Sequence, residues 1–570
     1  MRNIYFRFYQ YARDTLNDEG SYQEDDMKTL YVGGDIVPMT GKDDRVEALL
    51  VGDDGTIVHA GSEHDARALA SDAPVVDLRG KTLLPGFIDP HSHILSATTY
   101  VLTADLSDAR SFADIQKTLR DFISERGLGA NDVVQANSYD HNLLAEQRHP
   151  DRHVLDEVTT EIPIIITHMS GHVGSANTLT YSLAGIDAST PNPDGGKWLR
   201  EEDGTPLGPW EEPAALGPLN EKVVGPRSHV DFPSLADEVQ RYYTRYGVTT
   251  CQDGATLTSL ADDAVACAEQ GRWTMDVVSY PITLFDSDRN ATIAAHSNYV
   301  SRDYRGHFRF GGIKIILDGS PQGRTAWMSE PYEVVTEDDD PSYRGYPQWE
   351  NDDLVADLKD AIDRGYQVLA HCNGDAAAEQ YLNCYEQALA QSSRADKMEL
   401  RPVMIHCQTA RSDQLKRMVN LRMIPSIFAG HTYYWGDVHL KNFGQQRGMR
   451  VAPVGEAHQL GLPFNLHTDT PIIPCDMLFT VWCAVNRVTR DGVQLAVDQK
   501  VSVFDALRGI TINAAYQYFE EDRKGTLEKG KLADLVILDR NPLTVDPMEI
   551  KDIRVLATIK EGETIWEASS

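Results

Sequence analysis

The sequence predicts an α/β protein: a (β/α)8 TIM-like barrel with a small β-sandwich domain built from both chain ends and an inserted subdomain after the first barrel strand. Three observations predict it. Apolar strand-like runs alternate with helical stripes through the middle of the chain, as parallel α/β folds require. Eight such runs can be placed, the number that closes a barrel of this kind. Short β patterns occupy both ends, each too small to bury a core alone.

Residues 1–26 carry aromatics (Tyr5, Phe6, Phe8, Tyr9, Tyr11) and then acids, without the continuous apolar core of a secretory signal. They read as an N-terminal extension ahead of Met27, either a disordered tail or an upstream start. Strand patterns follow at 29–37 and 48–52, and Asp54-Gly55 is a hairpin turn before a strand at 56–60. At the far end, 533–539 is a strand and 555–566 a hairpin turning near Glu561-Gly562. The two ends are expected to join as one sandwich, 27–81 with 525–570.

Between them, 82–524 reads as the barrel, with strands at 83–89, 248–252, 275–280, 310–316, 366–371, 402–406, 423–428 and 463–469. One unit shows the pattern. Asn351 can cap a helix whose apolar residues Leu354, Val355, Leu358, Ala361 and Ile362 form a helical stripe, and Gly365 can end it. Two further strand candidates, 132–137 and 162–168, fall in an insertion of about 100–230 that would roof the barrel mouth.

A length of 570 residues suits one barrel with insertions. The formal charge of −33 argues against nucleic acid and anionic membranes as partners, since both would be repelled. No run approaches the ~20 apolar residues that span a bilayer. Seven cysteines, an odd number without a close Cys-x-x-Cys pair, fit neither a zinc ribbon nor a full disulfide framework. The expected setting is a reducing cytoplasm. A homodimer is the default assembly.

The most informative feature is His91 and His93, which close the run LPGFIDPHSH at 84–93. In a strand residues i and i+2 face one side, so both imidazoles would point to one interior at the strand's C-terminal end, and a divalent metal could take both. Other polar residues fall at or near the ends of later strands: Lys314, His371, His406 and Asp469. Singly, each has a bland reading as a solvated loop histidine, a cap or a surface ion pair. Together they point to a metal site at the C-terminal face of a barrel.

With these residues in place, the chain resembles the amidohydrolase superfamily, and more narrowly its third family, which includes N-substituted formamide deformylases and YtcJ-like proteins. The matching motifs are LPGFIDPHSH at 84–93, GIKIILDGS at 312–320, HCNGD at 371–375, IHC at 405–407, HTD at 467–469 and GTLEKGKLADLV at 525–536. The resemblance implies that His91, His93, His371 and His406 are metal ligands, and that Asp469 is both ligand and catalytic proton carrier. Lys314 would join them only as a carbamate formed with carbon dioxide, because an ammonium cannot bind a cation. Burial would favour the neutral amine that reacts. The alternative is an unmodified lysine that binds substrate.

One or two divalent ions per chain are expected, zinc first, since imidazole and carboxylate suit it; manganese, iron and cobalt stay open. Metal-activated hydroxide would attack a carbonyl, and Asp469 would pass the proton to a leaving nitrogen. The expected activity is hydrolysis of a non-peptide C–N bond, an amide or N-substituted formamide of a small molecule. A deaminase of the same superfamily and a catalytically silent binding barrel are the alternatives.

Substrate contacts are expected from His172 on the roof, from Arg324 as an anion holder, and from His431 and Trp435 in the aromatic run after the seventh strand. Asp89 and His467 read either as partners that orient ligands or as hydrogen-bonded strand ends. Cys372 and Cys407, each next to a ligand histidine, should face away into packing.

Overall fold

The protein is described by a computed structural model covering residues 29–569, apart from 169–172, 194, 228–231, 285–286 and 335–339. The extension at 1–26 and the candidate His172 lie outside the described residues.

The chain begins with β1 (Thr29–Ile36), β2 (Val46–Val51), β3 (Ile57–Gly61), β4 (Val75–Asp77) and β5 (Thr82–Pro85). The β2–β3 hairpin turns at Asp54-Gly55 as the dipeptide predicts. Gly55 takes φ +74°, and Asp54 Oδ1 accepts the Thr56 N–H at 3.0 Å. After β5 the chain passes through Gly86 into β6 (Phe87–Ile88).

The run expected as one strand therefore serves two sheets in succession, because β5 pairs with β1 whereas β6 pairs with a strand from the next part of the chain. A side chain at Gly86 would stand 2.5 Å from Thr249 Cγ2, so the changeover needs a residue without one.

Residues 103–211 contribute β7 (Thr103–Asp105), β8 (Val134–Tyr139), β9 (Ile164–His168), β10 (Val173–Ala176), β11 (Lys197–Arg200) and β12 (Pro206–Glu211). They form a separate six-stranded sheet in the order β11-β12-β10-β9-β8-β7, with β7, β8 and β9 parallel. Two core clusters serve it, one around Ile115, Leu119 and Val134 and one around Tyr181, Trp198 and Trp210.

Two parallel sheets follow in sequential order. β13 (Val248–Thr256), β14 (Asp276–Pro281) and β15 (Phe308–Phe310) join β6 in one. β16 (Gly312–Ile316), β17 (Gln367–Cys372), β18 (Val403–His406), β19 (Ile424–Ile427) and β20 (Asn465–Leu466) form the other. The strand expected at 310–316 is thus β15 and β16, interrupted at Gly311, whose N–H donates to Ser279 O at 2.9 Å. Lys314 bridges to Ile282 just beyond β14, so the sheets are continuous there. At the opposite edges, Asp469 N–H donates to His91 O at 3.0 Å and His93 N–H to Thr470 O at 2.7 Å, drawing the segments after β20 and β6 together.

The helix Asn351–Arg364 buries Leu354, Val355, Leu358, Ala361 and Ile362 and ends at Gly365 with φ +78°, as the stripe predicts. Its N-cap, however, is Glu350. Asn351 is the first helical residue, and its Oδ1 is engaged by Gln380 Nε2 at 2.9 Å, which removes it from capping.

Finally β21 (Leu535–Leu538), β22 (Val555–Lys560) and β23 (Glu563–Glu567) complete an eight-stranded sheet with β1–β5. Both chain ends therefore build one sheet, in the order β23-β22-β21-β5-β1-β2-β3 with β4 on β1. A buried ion cluster fastens this sheet to β14. Lys524 Nζ lies 2.5 Å and Lys560 Nζ 3.0 Å from Asp276 Oδ2, and Lys560 also reaches Asp534 at 3.1 Å. All seven cysteines are buried and unbridged. Among the described residues, no helix is long and apolar enough to cross a membrane.

Candidate metal centre

The six residues expected as metal ligands converge. His91 and His93 lie past the end of β6 rather than on it, so strand alternation does not align them, contrary to the expectation of a continuous strand. The backbone bond to Thr470 and a bridge from His93 to Asp253 aim them instead. Their rings meet edge to face with centroids 5.0 Å apart.

Lys314 projects from β16, buried, with Nζ 3.1 Å from His91 Nε2. Asp469 Oδ1 lies 3.5 Å from His91 Nε2 and 3.3 Å from His93 Nε2. The His371 ring on β17 is 4.6 Å from that of His406, which ends β18 and lies 5.6 Å from the His91 ring.

Two of these residues sit in strained backbone. His406 has φ 68° and Asp469 φ 58°. This left-handed region costs a residue with a Cβ on the order of 1–2 kcal/mol. Such strain persists where the surroundings over-determine it, and His406 ends β18 while Asp469 follows β20 by three residues with its N–H bonded to His91 O.

Neighbouring groups set the tautomers. His91 Nδ1–H donates to Gln252 Oε1 at 2.5 Å, while Gln252 Nε2 donates to Pro90 O at 2.8 Å. An amide oxygen only accepts, so the His91 proton sits on Nδ1 and Nε2 keeps its lone pair.

His371 Nδ1 is directed at Asp318 Oδ1 at 3.2 Å. Asp318 also accepts the backbone N–H groups of Asn373, Gly374 and Trp327 at 3.0, 2.7 and 3.0 Å. His406 Nδ1 and His467 Nε2 share a hydrogen bond of 3.2 Å, and His467 Nδ1 in turn lies 2.8 Å from Ser426 Oγ. Asp89 accepts the Thr468 hydroxyl at 2.5 Å and the His91 N–H at 3.3 Å. Asp89 and His467 thus both contact the ligand framework.

Burial dominates the electrostatics. It holds His91 and His406 well below the ordinary imidazole range, reinforced by Lys314 and His371 respectively. His467 is held down to about 3 by the same cause, against the opposing pull of Asp469. Burial lowers Lys314 to about 8, although Asp469 opposes it, and pushes Asp89 up to about 7 against its hydrogen bonds.

The donor set fits a divalent ion. His91 Nε2, free of the ring proton, lies 3.1 Å from Lys314 Nζ and 3.5 Å from the Asp469 carboxylate, and His93 Nε2 lies 3.3 Å from that carboxylate, an imidazole and carboxylate donor set of the kind divalent ions take.

Of the remaining candidates, His431 and Trp435 lie beside this cluster through Phe428. His431 is buried, its Nδ1 2.9 Å from His439 Nε2, and its ring lies 4.6 Å from both Phe428 and Trp435. Phe428 stands between it and His467, 5.3 Å from the latter ring. Arg324 places its guanidinium over Tyr332 at 5.5 Å. Cys372 and Cys407 are buried in the main hydrophobic core, as expected of packing residues.

The sequence reading missed Gln252 and gave Asp318 no role. The position of Gln252 at the end of the strand expected at 248–252 was the available signal for the first. The second was visible only as the aspartate in GIKIILDGS.

The amidohydrolase family model matches residues 74–566. The chain is 25% identical over 558 residues to the putative amidohydrolase YtcJ of Bacillus subtilis (strain 168), covering 95% of this chain and 100% of that one. It is 27% identical over 551 residues to the N-substituted formamide deformylase of Arthrobacter pascens, covering 94% and 98%. An uncharacterized metal-dependent hydrolase from Pyrococcus furiosus shares the fold, with a TM-score of 0.68 at 22% identity over 91% of this chain and 100% of that one. Because the family match takes in most of its length, this chain belongs to the amidohydrolase family.

Proposed function

We propose that the protein is a metal-dependent amidohydrolase that cleaves a non-peptide C–N bond, an amide or N-substituted formamide, of a small molecule. In this reading the two parallel sheets form one closed (β/α)8 barrel, the terminal sheet is the flanking sandwich domain (27–81 with 525–570), and the six-stranded sheet is the insertion (about 100–230) over the barrel mouth. The observation that carries the function is the convergence of Lys314 and Asp469 on His91, each within 3.5 Å of its Nε2, beside His93, His371 and His406.

His91, His93, His371, His406 and Asp469 would hold one or two divalent ions, zinc first among them, with Lys314 joining as a carbamate. Such an ion supplies Lewis acidity, polarising a carbonyl and acidifying water. Asp469 takes the proton of the attacking water and delivers it to the leaving nitrogen, so the C–N bond breaks to a neutral amine. Gln252, Asp318 and His467 hold the imidazoles in orientation. Phe428, His431 and Trp435 form an apolar wall for the substituent on nitrogen. Arg324 and His172 are assigned to substrate binding. The relative named as an N-substituted formamide deformylase supports the formamide class.

The test is product analysis of metal-loaded protein on a panel of N-substituted formamides, simple amides and ring amines. Formate or another acid released together with an amine is the expected result. Ammonia from a ring amine would reassign the protein to the deaminases, and no turnover of any member would favour a silent barrel.

A further inference from the structure

We propose a second metal site, separate from the barrel cluster, in which Asp140, His141 and His168 at the carboxyl ends of β8 and β9 bind a divalent transition ion such as zinc. These strands run parallel with Tyr139 opposite His168, so the residues just past β8 lie beside the end of β9. Such strand ends are where open parallel sheets gather ligands.

His141 Nδ1 lies 3.2 Å from His168 Nε2, and Asp140 Oδ1 lies 3.5 Å from His168 Nε2 and 4.0 Å from His141 Nδ1. Ligand atoms at about 2.0–2.1 Å from a tetrahedral zinc stand roughly 3.3–3.4 Å apart. The two shorter edges of this triangle already match, and the third, at 4.0 Å, needs a shift of about 0.6–0.7 Å, within the reach of a ring rotation.

The groups around the triangle restrain it. Asn142 donates its backbone and side-chain N–H to Asp140 Oδ1 at 2.9 and 3.0 Å, which fixes the carboxylate's direction. His149 stacks on His141 with centroids 4.1 Å apart, and its Nδ1 lies 2.9 Å from the Tyr139 hydroxyl. The side chains of His141, His168 and Asp140 remain 30%, 11% and 19% exposed, which leaves access for the ion and for a water or a ligand atom in the open position.

A comparably spaced group, Asp276, His307 and Glu561, carries no such inference. There Lys524 and Lys560 already place two ammonium groups against Asp276, at 2.5 and 3.0 Å.

The test is zinc content per chain, by elemental analysis after equilibration in micromolar zinc, for wild type, His141→Ala, His168→Ala and the control His153→Ala. The control lies in the same segment, with a side chain 61% exposed. Each of the first two variants should lose one equivalent relative to wild type, whatever the barrel cluster holds, and the control should lose none. Equal content in folded variants and wild type would reduce the group to a hydrogen-bonded cluster. Should the variants fail to fold, anomalous diffraction at the zinc edge from wild-type crystals decides: a peak bonded to His141 Nδ1 and His168 Nε2 is expected, and its absence overturns the proposal.

Discussion

His91 Nδ1 and Gln252 Oε1 stand 2.5 Å apart, and this contact decides which nitrogen of His91 is free for a metal. Without the amide oxygen the ring loses both its tautomer preference and its orientation. Gln252→Leu is therefore expected to weaken metal binding about 10- to 100-fold, the usual cost of losing such a partner. Gln252→Glu, which keeps an acceptor in place, should lose less. Competition with a chromophoric chelator measures both, and unchanged affinity in a folded Leu variant would show that the contact orients nothing.

Gly254 packs against the same edge of the ring as Gln252. A Cβ there would lie 2.3 Å from His91 Cε1 and 2.9 Å from Gln252 Oε1, so Gly254→Ala must push the imidazole away. Overpacking of this kind costs about 1–3 kcal/mol. The expected result is a lower Tm together with a fall in kcat/KM of more than ~10-fold, since a small misplacement of reacting groups is expensive. Native activity in the alanine variant would mean that the ring can yield without consequence.

Burial draws Lys314 down to about 8, where a larger share of the amine is neutral than in water, and the neutral amine is the form that reacts with carbon dioxide. If its carbamate bridges two ions, Lys314→Ala prepared with bicarbonate should hold about one ion fewer per chain than wild type prepared in parallel, whatever the Asp140, His141 and His168 group binds. Elemental analysis of parallel preparations reads this directly. Equal content in both would remove Lys314 from the ligand set.

The candidate ligands were legible because all but Lys314, which sits mid-strand in β16, lie at or just past the end of an apolar run, where chain patterning and chemistry coincide. Their alignment was not legible. β6 stops at Ile88, so the turn after it, not the period-two alternation of a strand, brings the His91 and His93 rings together. The changeover at Gly86 and the interruption at Gly311 were hidden because an apolar run reads the same whichever sheet it pairs with. β10, β11 and β12 are four to six residues long and carry Gly174, Pro206 and Pro209, which mask any alternation. The Asp140, His141 and His168 cluster had no local signal, since it forms only when β8 and β9 pair.

His307 should make stability depend on pH near neutrality. Its Nδ1 lies 2.8 Å from Asp276 Oδ1, and this hydrogen bond raises its pKa above the ordinary 6.5 against the effect of burial. Asp276 itself stays ionised, because Lys524 and Lys560 outweigh its burial and hold it well below the usual carboxylate range. A raised folded value means that the protonated ring contributes stability fully below about pH 6.5, and that this contribution is lost as pH rises through the folded pKa. The side chain is 34% exposed, so solvent screening keeps the effect modest. His307→Asn should therefore melt below wild type at about pH 6, with the gap narrowing toward about pH 9. A gap that stays constant across thermal melts in this range would show that packing, not the charged pair, makes the difference.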